Sequence, residues 1–294
     1  MMSENKYICS PMNYIGGKYK LLPQIQPYIP SGINTFVDLF CGGCNVGINQ
    51  DAKKIWFNDN LSYLIDLYQT FSSFELEDIK RFIHGRIETL GLNIYNVEAY
   101  NKLRCLYNES RNPLDLFVLV AFSFNHQIRF NNSHEFNCPF GKNRSCYNQR
   151  MEQNLTNFIE KLHSIEHCFT AINFDEFDFS SLTSEDFVYC DPPYLITTGS
   201  YNDGKRGFTG WGKAEEMKLL SILSNLHERN IRFALSNVVE HKGLKNNILL
   251  DWSIENKFIV NHLDKDYKNS NYQTKNTELE TKEVLITNYE VHWK

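Results

Sequence analysis

The chain has 294 residues, is 42% hydrophobic and 22% charged, and carries a formal net charge of -5. This length suits one large domain, or one domain with an insertion, that buries a sizeable core. The sequence lacks an apolar run of about 18 residues, and its start, MMSENKYICS, lacks the apolar centre of a signal peptide. We therefore expect neither a membrane span nor secretion, and a cytoplasmic location is favoured. Cys41 and Cys44 form a Cys-x-x-Cys pair without a second pair, so no metal site is expected.

The first glycine-rich segment is MNYIGGKYKLL, residues 12–22. It predicts a tight turn that presents Tyr14, Gly17 and Lys18. The spacing is not that of a phosphate-binding P-loop. A plain surface turn with a solvated lysine is the alternative that these residues leave open.

A second glycine turn follows the first predicted strand. In FVDLFCGGCNVG, residues 36–47, the strand runs into Gly42 and Gly43, and the next predicted strand, 54–59, ends at Asp59. Glycines at the first turn and an acid at the end of the second strand are typical of a nucleoside site, in which the acid binds the ribose hydroxyls. A structural glycine turn explains the same residues equally well.

The alternation of strands and helices fails between residues 69 and 153. We interpret 69–153 as an inserted, mainly helical subdomain that ends in a polar hairpin, and 1–68 with 154–294 as the domain that carries it. Residues 125–150 contain four basic residues and one acid, a local charge of +3 in an acidic chain. Such a run is usually a solvated loop, but a phosphate-binding surface would also carry this charge.

Strands and helices alternate again in the rest of the chain, which is typical of a doubly wound, mainly parallel α/β sheet. Two further segments follow each other without an obvious helix between them, which predicts an antiparallel hairpin at one edge of the sheet. Apolar residues at helical spacing predict helices over 154–165 and 215–226. The predicted strands are 186–190, 231–238, 257–263 and 283–289.

FVYCDPPYLIT, residues 187–197, runs an apolar strand into an acid, two prolines and a tyrosine. Because proline lacks an amide donor, the strand ends there and Asp191 lies at the carboxyl edge of the sheet. A heteroaromatic amine would fit this arrangement: Asp191 and the rigid Pro192 carbonyl accept its two hydrogens, and the Tyr194 ring stacks on the base. A sulfonium donor would then supply a methyl group by in-line displacement. A strand-ending turn with a packed tyrosine is the alternative.

Taken together, several segments resemble the Dam-type DNA adenine methyltransferases, most closely those of T-even bacteriophages. The resemblance implies a Rossmann-like fold, S-adenosylmethionine as the methyl donor and double-stranded DNA as the partner, with GATC as the implied target. It also implies that the target adenine is flipped out of the duplex. A monomer is favoured, and a cognate restriction endonuclease stays open as a partner. The segments are YIGGKYKLLP, FVDLFCGG, PFGK, FVYCDPPYLIT and IRFALSNVVEH.

The resemblance also assigns roles to individual residues. It gives the transfer step to the four residues Asp191, Pro192, Pro193 and Tyr194. It gives cofactor binding to Tyr14, Gly17, Lys18, Asp38, Phe40, Gly42, Gly43, Asp59, Asn173, Phe174 and Asp191. It gives DNA binding to Phe124, Asn125, Gln127, Arg129, Asn131, Pro139, Lys142 and Arg144.

Within the DNA-binding set, Arg129 corresponds to an arginine that reads a guanine edge and Phe124 to an aromatic wedge in the duplex. Phe208 and Trp211, in the glycine-rich segment 197–213, either cover the flipped base or pin that segment to the surface. Nucleoside binding by a regulator that does not act on DNA is one alternative. Three other functions also remain open. They are methylation of the cytosine exocyclic amine, methylation of an RNA base, and DNA binding without catalysis.

Overall fold

The computed structural model of the chain describes residues 7–14, 16–197, 210–264 and 281–291. Eight strands in these residues belong to one sheet. The strands are β1 (Ile33–Asp38), β2 (Ala52–Asn58), β3 (Glu166–Thr170), β4 (Phe187–Cys190), β5 (Arg232–His241), β6 (Leu244–Lys245), β7 (Ile259–Leu263) and β8 (Thr281–Thr287). The helices are α1 (Leu22–Ile25), α2 (Ser62–Ser73), α3 (Leu76–Leu90), α4 (Val97–Ser110), α5 (Pro113–Phe122), α6 (Gln149–His163), α7 (Lys213–Glu228) and α8 (Asn247–Glu255).

The sheet is mainly parallel, as the alternation of strands and helices predicts. Its order is β3-β2-β1-β4-β5-β8-β7, and β6 pairs with the end of β5. Neighbours among β1 to β5 are parallel, whereas β8 is antiparallel to both β5 and β7. The doubly wound sheet with an antiparallel pair at one edge is therefore confirmed.

The edge strand β3 is absent from the sequence-based prediction. Its five residues, Glu166–Thr170, are exposed or half-buried, because the strand has a partner, β2, on one side only. Such a strand lacks the apolar run or strict alternation by which buried strands are recognised. The prediction failed here because edge strands carry a weak pattern.

Both faces of the sheet are covered by helices, as parallel sheets require. Successive side chains of a strand point to opposite faces. On β1, Phe36 packs in the core beneath α2 and α6, and its neighbour Val37 packs in the core beneath α7 and α8. None of the helices in the described residues is long and apolar enough to cross a membrane.

Helices α3, α4 and α5 lie between β2 and β3 in the chain, where the insertion is predicted. Asn112 caps α5 by accepting hydrogen bonds from the amides of Leu114 and Asp115. Arg86 of α3 binds the Asp115 carboxylate through two nitrogens, at 2.7 and 3.2 Å. This bidentate pair fixes α3 against the buried α5.

A hairpin-like loop follows α5. Isolated bridges pair Ser123 with Phe140 and Phe130 with Phe136. The division of the chain at 68/69 and 153/154 stays a prediction. Helices α2 and α6 span these two positions, and both contact β3.

The centre of the sheet is a switch point in the chain's path. The chain continues from β1 to its neighbour β2 on one side, and from β4 to its neighbour β5 on the other. Diverging connections of this kind open a crevice at the carboxyl ends of the strands. Asp38 ends β1 and Asp191 follows β4 directly, so both lie at this crevice.

Candidate active site

A cavity of about 730 Å³ opens at the switch point. It collects every residue that the resemblance assigns to the cofactor or to methyl transfer, and it adds Arg129 from the hairpin. These residues are Tyr14, Gly17, Lys18, Asp38, Phe40, Gly42, Gly43, Asp59, Asn173, Phe174, Asp191, Pro192, Pro193 and Tyr194.

The glycine turn after β1 is locked to its surroundings through Gly42. Its φ is +45°, and a Cβ added there would lie 2.9 Å from the Tyr14 ring. Its N–H donates to Asp59 Oδ2 at 2.9 Å, and its carbonyl accepts from the Tyr68 hydroxyl at 2.8 Å. A side chain at this position would therefore strain the turn and displace Tyr14.

Two buried carboxylates flank this turn. Asp59 Oδ1 accepts from the Leu61 amide at 2.9 Å, and burial raises the pKa of Asp59 although its amide hydrogen bonds oppose the shift. Asp38 Oδ2 accepts from the Gly47 amide at 2.9 Å. Burial is the largest cause that raises the pKa of Asp38 to about 7. The cavity therefore concentrates acidic groups that a cationic ligand would stabilise in the charged form.

We predict that Asp38→Asn changes how thermal stability depends on pH. In the folded protein Asp38 is neutral well below pH 7 and charged above it, whereas its ordinary pKa is 3.8. Its stabilising contribution is thus present below about pH 4 and is lost as the pH rises through 7. The always neutral asparagine should gain roughly 2–4 kcal/mol relative to the parent chain between pH 5 and pH 8. Melting temperatures of both proteins across this range are the measurement, and parallel curves would contradict the prediction.

The residues after β4 form a buried ionic cluster with the first glycine segment. Lys18 Nζ lies 2.7 Å from Asp191 Oδ2 and 5.1 Å from the centre of the Tyr194 ring. The Tyr194 hydroxyl lies 3.0 Å from Asp191 Oδ1 and 3.0 Å from Glu283 Oε1. Burial raises the pKa of Asp191, and Lys18 opposes that shift. The Lys18 ammonium therefore favours the charged form of Asp191 against the effect of burial.

Three aromatic rings make one wall of the cavity. The ring centres of Phe40 and Phe174 lie 5.5 Å apart, and the Trp211 ring lies 5.7 and 5.3 Å from them. The Trp211 indole N–H donates to buried Glu216 at 2.8 Å, and Asn237 donates to the other oxygen of that carboxylate at 3.1 Å. Trp211 is thus fixed beside Phe40 and Phe174. Phe208, the other aromatic residue considered in segment 197–213, lies outside the described residues.

Of the residues assigned to DNA, Arg129 lines the cavity and the others do not. Phe124 is 42% exposed, and the Arg144 guanidinium lies 4.9 Å above its ring. Arg144 also donates to Asn125 Oδ1 at 3.0 Å, and the Asn125 carbonyl accepts from Asn13 at 3.0 Å. This last contact connects the hairpin to the first glycine segment.

The other residues assigned to DNA differ in whether their side chains form hydrogen bonds within the protein. Arg129 Nε donates to Asn137 Oδ1 at 3.0 Å. The Asn131 side chain is occupied by its own turn, where it accepts from the amides of Ser133 and Glu135. Three residues are exposed or half-buried: Gln127, Pro139 and Lys142.

Two residues of the site escape sequence reasoning. Glu283 is the charged residue of the otherwise mainly apolar segment EVLIT. Its charge suggests a polar role, but the sequence does not show which residue is its partner. Glu216 follows Glu215 in an amphipathic helix, and nothing in the pattern indicates that Glu216 is the buried one. Tertiary contacts alone identify both.

Comparison with known proteins identifies the family of the chain. The D12 class N6 adenine-specific DNA methyltransferase family matches residues 14–276. The chain belongs to this family.

Similar proteins include two methylases of more than twice this length. The chain is 53% identical to modification methylase StsI of Streptococcus sanguinis over 98% of its own length and 44% of that protein. It is 50% identical to type II methyltransferase M.FokI of Planomicrobium okeanokoites, over 97% of its own length and 43% of that protein. The DNA adenine methylase of Escherichia coli K12 is 28% identical over 77% of the chain and 79% of that protein. Special closeness to the Dam type, or to phage enzymes, stays a prediction.

Proposed function

We propose that this family member transfers a methyl group from S-adenosylmethionine to the exocyclic amine of an adenine that is flipped out of double-stranded DNA. One observation carries the proposal. The Asp191 carboxylate, with the rigid Pro192 carbonyl and the Tyr194 ring, opens into the same cavity as the glycine turn and Asp59. An amine acceptor pair and a nucleoside pocket are therefore adjacent, as direct transfer between them requires.

The reacting amine is a weak nucleophile, because its lone pair is delocalised into the purine ring. Hydrogen bonds from its two hydrogens to Asp191 and to the Pro192 carbonyl favour a pyramidal nitrogen, on which the lone pair is localised. Asp191 is suited to this role because Lys18, at 2.7 Å, stabilises its charged form. Tyr194 offers its ring for stacking, which offsets part of the few kcal/mol that extrusion of a base requires.

The charge of the cavity and its aromatic wall support S-adenosylmethionine as the ligand. Asp38, Asp59 and Asp191 surround it with carboxylates, which suits a ligand that carries sulfonium and ammonium charges. Phe40 and Phe174 offer apolar faces on which an adenine ring stacks. When bound, the cofactor supplies an electrophilic methyl group. The chain's own part is to bind it, to orient the amine and to exclude water.

If Trp211 belongs to the adenine pocket, we predict that it reports cofactor binding by its fluorescence. S-adenosylhomocysteine should quench the tryptophan emission of the parent chain, because a bound adenine would contact the Trp211 ring. In Trp211→Phe most of this change should disappear and the dissociation constant should rise about threefold to tenfold, since the smaller ring loses stacking and the bond to Glu216. Trp252→Phe is the control and should keep the full change, because Trp252 is a half-buried residue that packs against Phe233 and Phe258 and does not line the cavity. Equal quenching in both variants would exclude Trp211 from the pocket.

DNA as the partner is supported by the hairpin beside the cavity. Residues 125–150, which include most of this hairpin, carry a local charge of +3 that favours phosphate. The exposed Phe124 offers an aromatic ring that can fill the space left by a flipped base. We keep 69–153 as the recognition part and GATC as the first target to test. We place the enzyme with DNA in the cytoplasm as a monomer, with a cognate restriction endonuclease as a further partner.

Analysis of methylated DNA tests the proposal. Plasmid DNA is incubated with the protein and S-adenosylmethionine, digested to nucleosides and resolved by mass spectrometry. N6-methyl-2′-deoxyadenosine is the expected product. Single-molecule sequencing of the same DNA gives the modified motif. Methylation of cytosine, or none with a folded protein that binds the cofactor, would contradict the proposal.

A further inference from the structure

Glu283 is a buried acid that contacts Tyr194 and Lys18 of the site, and it belongs to none of the recognised motifs. Its side chain is fully buried, and its Oε1 atom lies 3.0 Å from the Tyr194 hydroxyl and 3.5 Å from Lys18 Nζ. A buried glutamate at the start of an apolar strand is unfavourable unless specific partners compensate for its lost hydration. Its presence there calls for a reason.

The backbone holds this carboxylate rigidly. Glu283 pairs with Val238 of β5 on one side and with Leu263 of β7 on the other. It shares a face of the sheet with Leu285 and lies toward the edge where β4 ends. Glu283 belongs to the last pair of the β7–β8 ladder and lies beside a register shift in the β5–β8 ladder. Its backbone is therefore held between two strands, which limits where the side chain can point.

The group that it binds is the Tyr194 phenol. Burial and the neighbouring carboxylates raise the pKa of Tyr194, so the hydroxyl keeps its proton and donates. Asp191 Oδ1 and Glu283 Oε1 each lie 3.0 Å from this oxygen. A phenol carries one hydrogen, which it donates to one of the two acceptors at a time. When Asp191 turns its oxygens to the target amine, Glu283 is the acceptor that remains for the phenol.

We propose that Glu283 is a positioning residue that fixes the plane of the Tyr194 ring through its phenol, so that the ring is preorganised to stack on the extruded base. The inference rests on the proposed function, because the stacked base is the target adenine. It adds that base extrusion depends on the antiparallel strand β8, far along the chain from Asp191. It also separates the hydrogen-bonding role of Glu283 from its charge.

Two conservative substitutions distinguish these roles. Glu283→Gln keeps the side-chain length and a carbonyl oxygen that can accept the phenol hydrogen, but it removes the charge. Glu283→Asp keeps the charge but shortens the side chain by one methylene. We expect the glutamine variant to retain base extrusion within about threefold and the aspartate variant to lose roughly tenfold, the value of one hydrogen bond. The readout is the fluorescence of 2-aminopurine at the methylated position, together with kcat and KM. Glu240→Asp, on the neighbouring strand β5 and paired with Lys282 at 2.9 Å, is the matched control and should change neither.

A double-mutant cycle tests the route through the phenol. Tyr194→Phe keeps the ring and deletes the hydroxyl, so alone it should lose about as much extrusion as Glu283→Asp. The double variant should then be little worse than either single one. Additive losses, or a glutamine variant as impaired as the aspartate one with unchanged melting temperature, would overturn the inference. A parent protein that binds DNA without methylating it would instead refute the proposed function.

Discussion

Asp191→Asn should lower kcat for methyl transfer by about a hundredfold to a thousandfold, with only a small change in cofactor affinity. The asparagine oxygen still accepts one hydrogen bond, but the negative charge that stabilises the positive charge developing on the amine is gone. In a site shielded from water, one such electrostatic contact has this magnitude. In this variant the Glu283 carboxylate, 3.5 Å from Lys18 Nζ, still balances the charge of the lysine. Cofactor affinity should therefore change little. Single-turnover methylation and titration with S-adenosylhomocysteine measure the two effects separately.

Asp251→Asn is the matched control, because Asp251 is an exposed acid on α8, away from the cavity. It should leave both kcat and affinity within twofold of the parent chain. If Asp191→Asn loses cofactor affinity in proportion to its rate, then Asp191 serves mainly to bind the cofactor. If it retains full turnover, the proposed activation of the amine is wrong.

The sequence predicts the parts of this fold whose pattern is local. The strands β4 and β8 carry apolar runs that end at prolines or polar residues, and α6 and α7 carry apolar residues at helical spacing. The half-exposed edge strand β3 has neither pattern. Sheet order is also not a local property and was not predicted. The mainly parallel, doubly wound architecture followed from the general rules for alternating strands and helices together with the family resemblance.

The candidate site divides in the same way. Asp191 and Gly42 are conspicuous in the sequence, because prolines and glycines punctuate the chain beside them. Glu283 and Glu216 are not conspicuous in the sequence. An acid is recognised as buried only from the residues that surround it in the folded protein. The Lys18–Asp191 ion pair likewise joins two segments whose common place at the switch point becomes clear only in three dimensions.

Arg129→Ala should relax the choice of DNA sequence more than it weakens DNA binding as a whole. Arg129 lines the cavity, and its Nε–H donates to Asn137 at 3.0 Å, which orients the guanidinium from behind. A bidentate contact to a guanine edge provides about 1–3 kcal/mol of discrimination, so methylation of targets changed at one base should rise roughly tenfold to a hundredfold relative to the true target. Methylation rates on a set of duplexes with single base changes provide the measurement.

Lys142→Ala provides the contrast, because Lys142 is an exposed cation beside the same hairpin. Loss of a phosphate contact weakens binding to all duplexes alike and reduces the slope of affinity against salt by about one unit. Arg129→Ala should leave that slope nearly unchanged, since a base contact releases no condensed counterion. If Arg129→Ala instead lowers affinity uniformly and flattens the salt dependence, its guanidinium binds the DNA backbone. Base recognition must then come from other residues near Arg129 in the chain, such as Gln127 or Asn125.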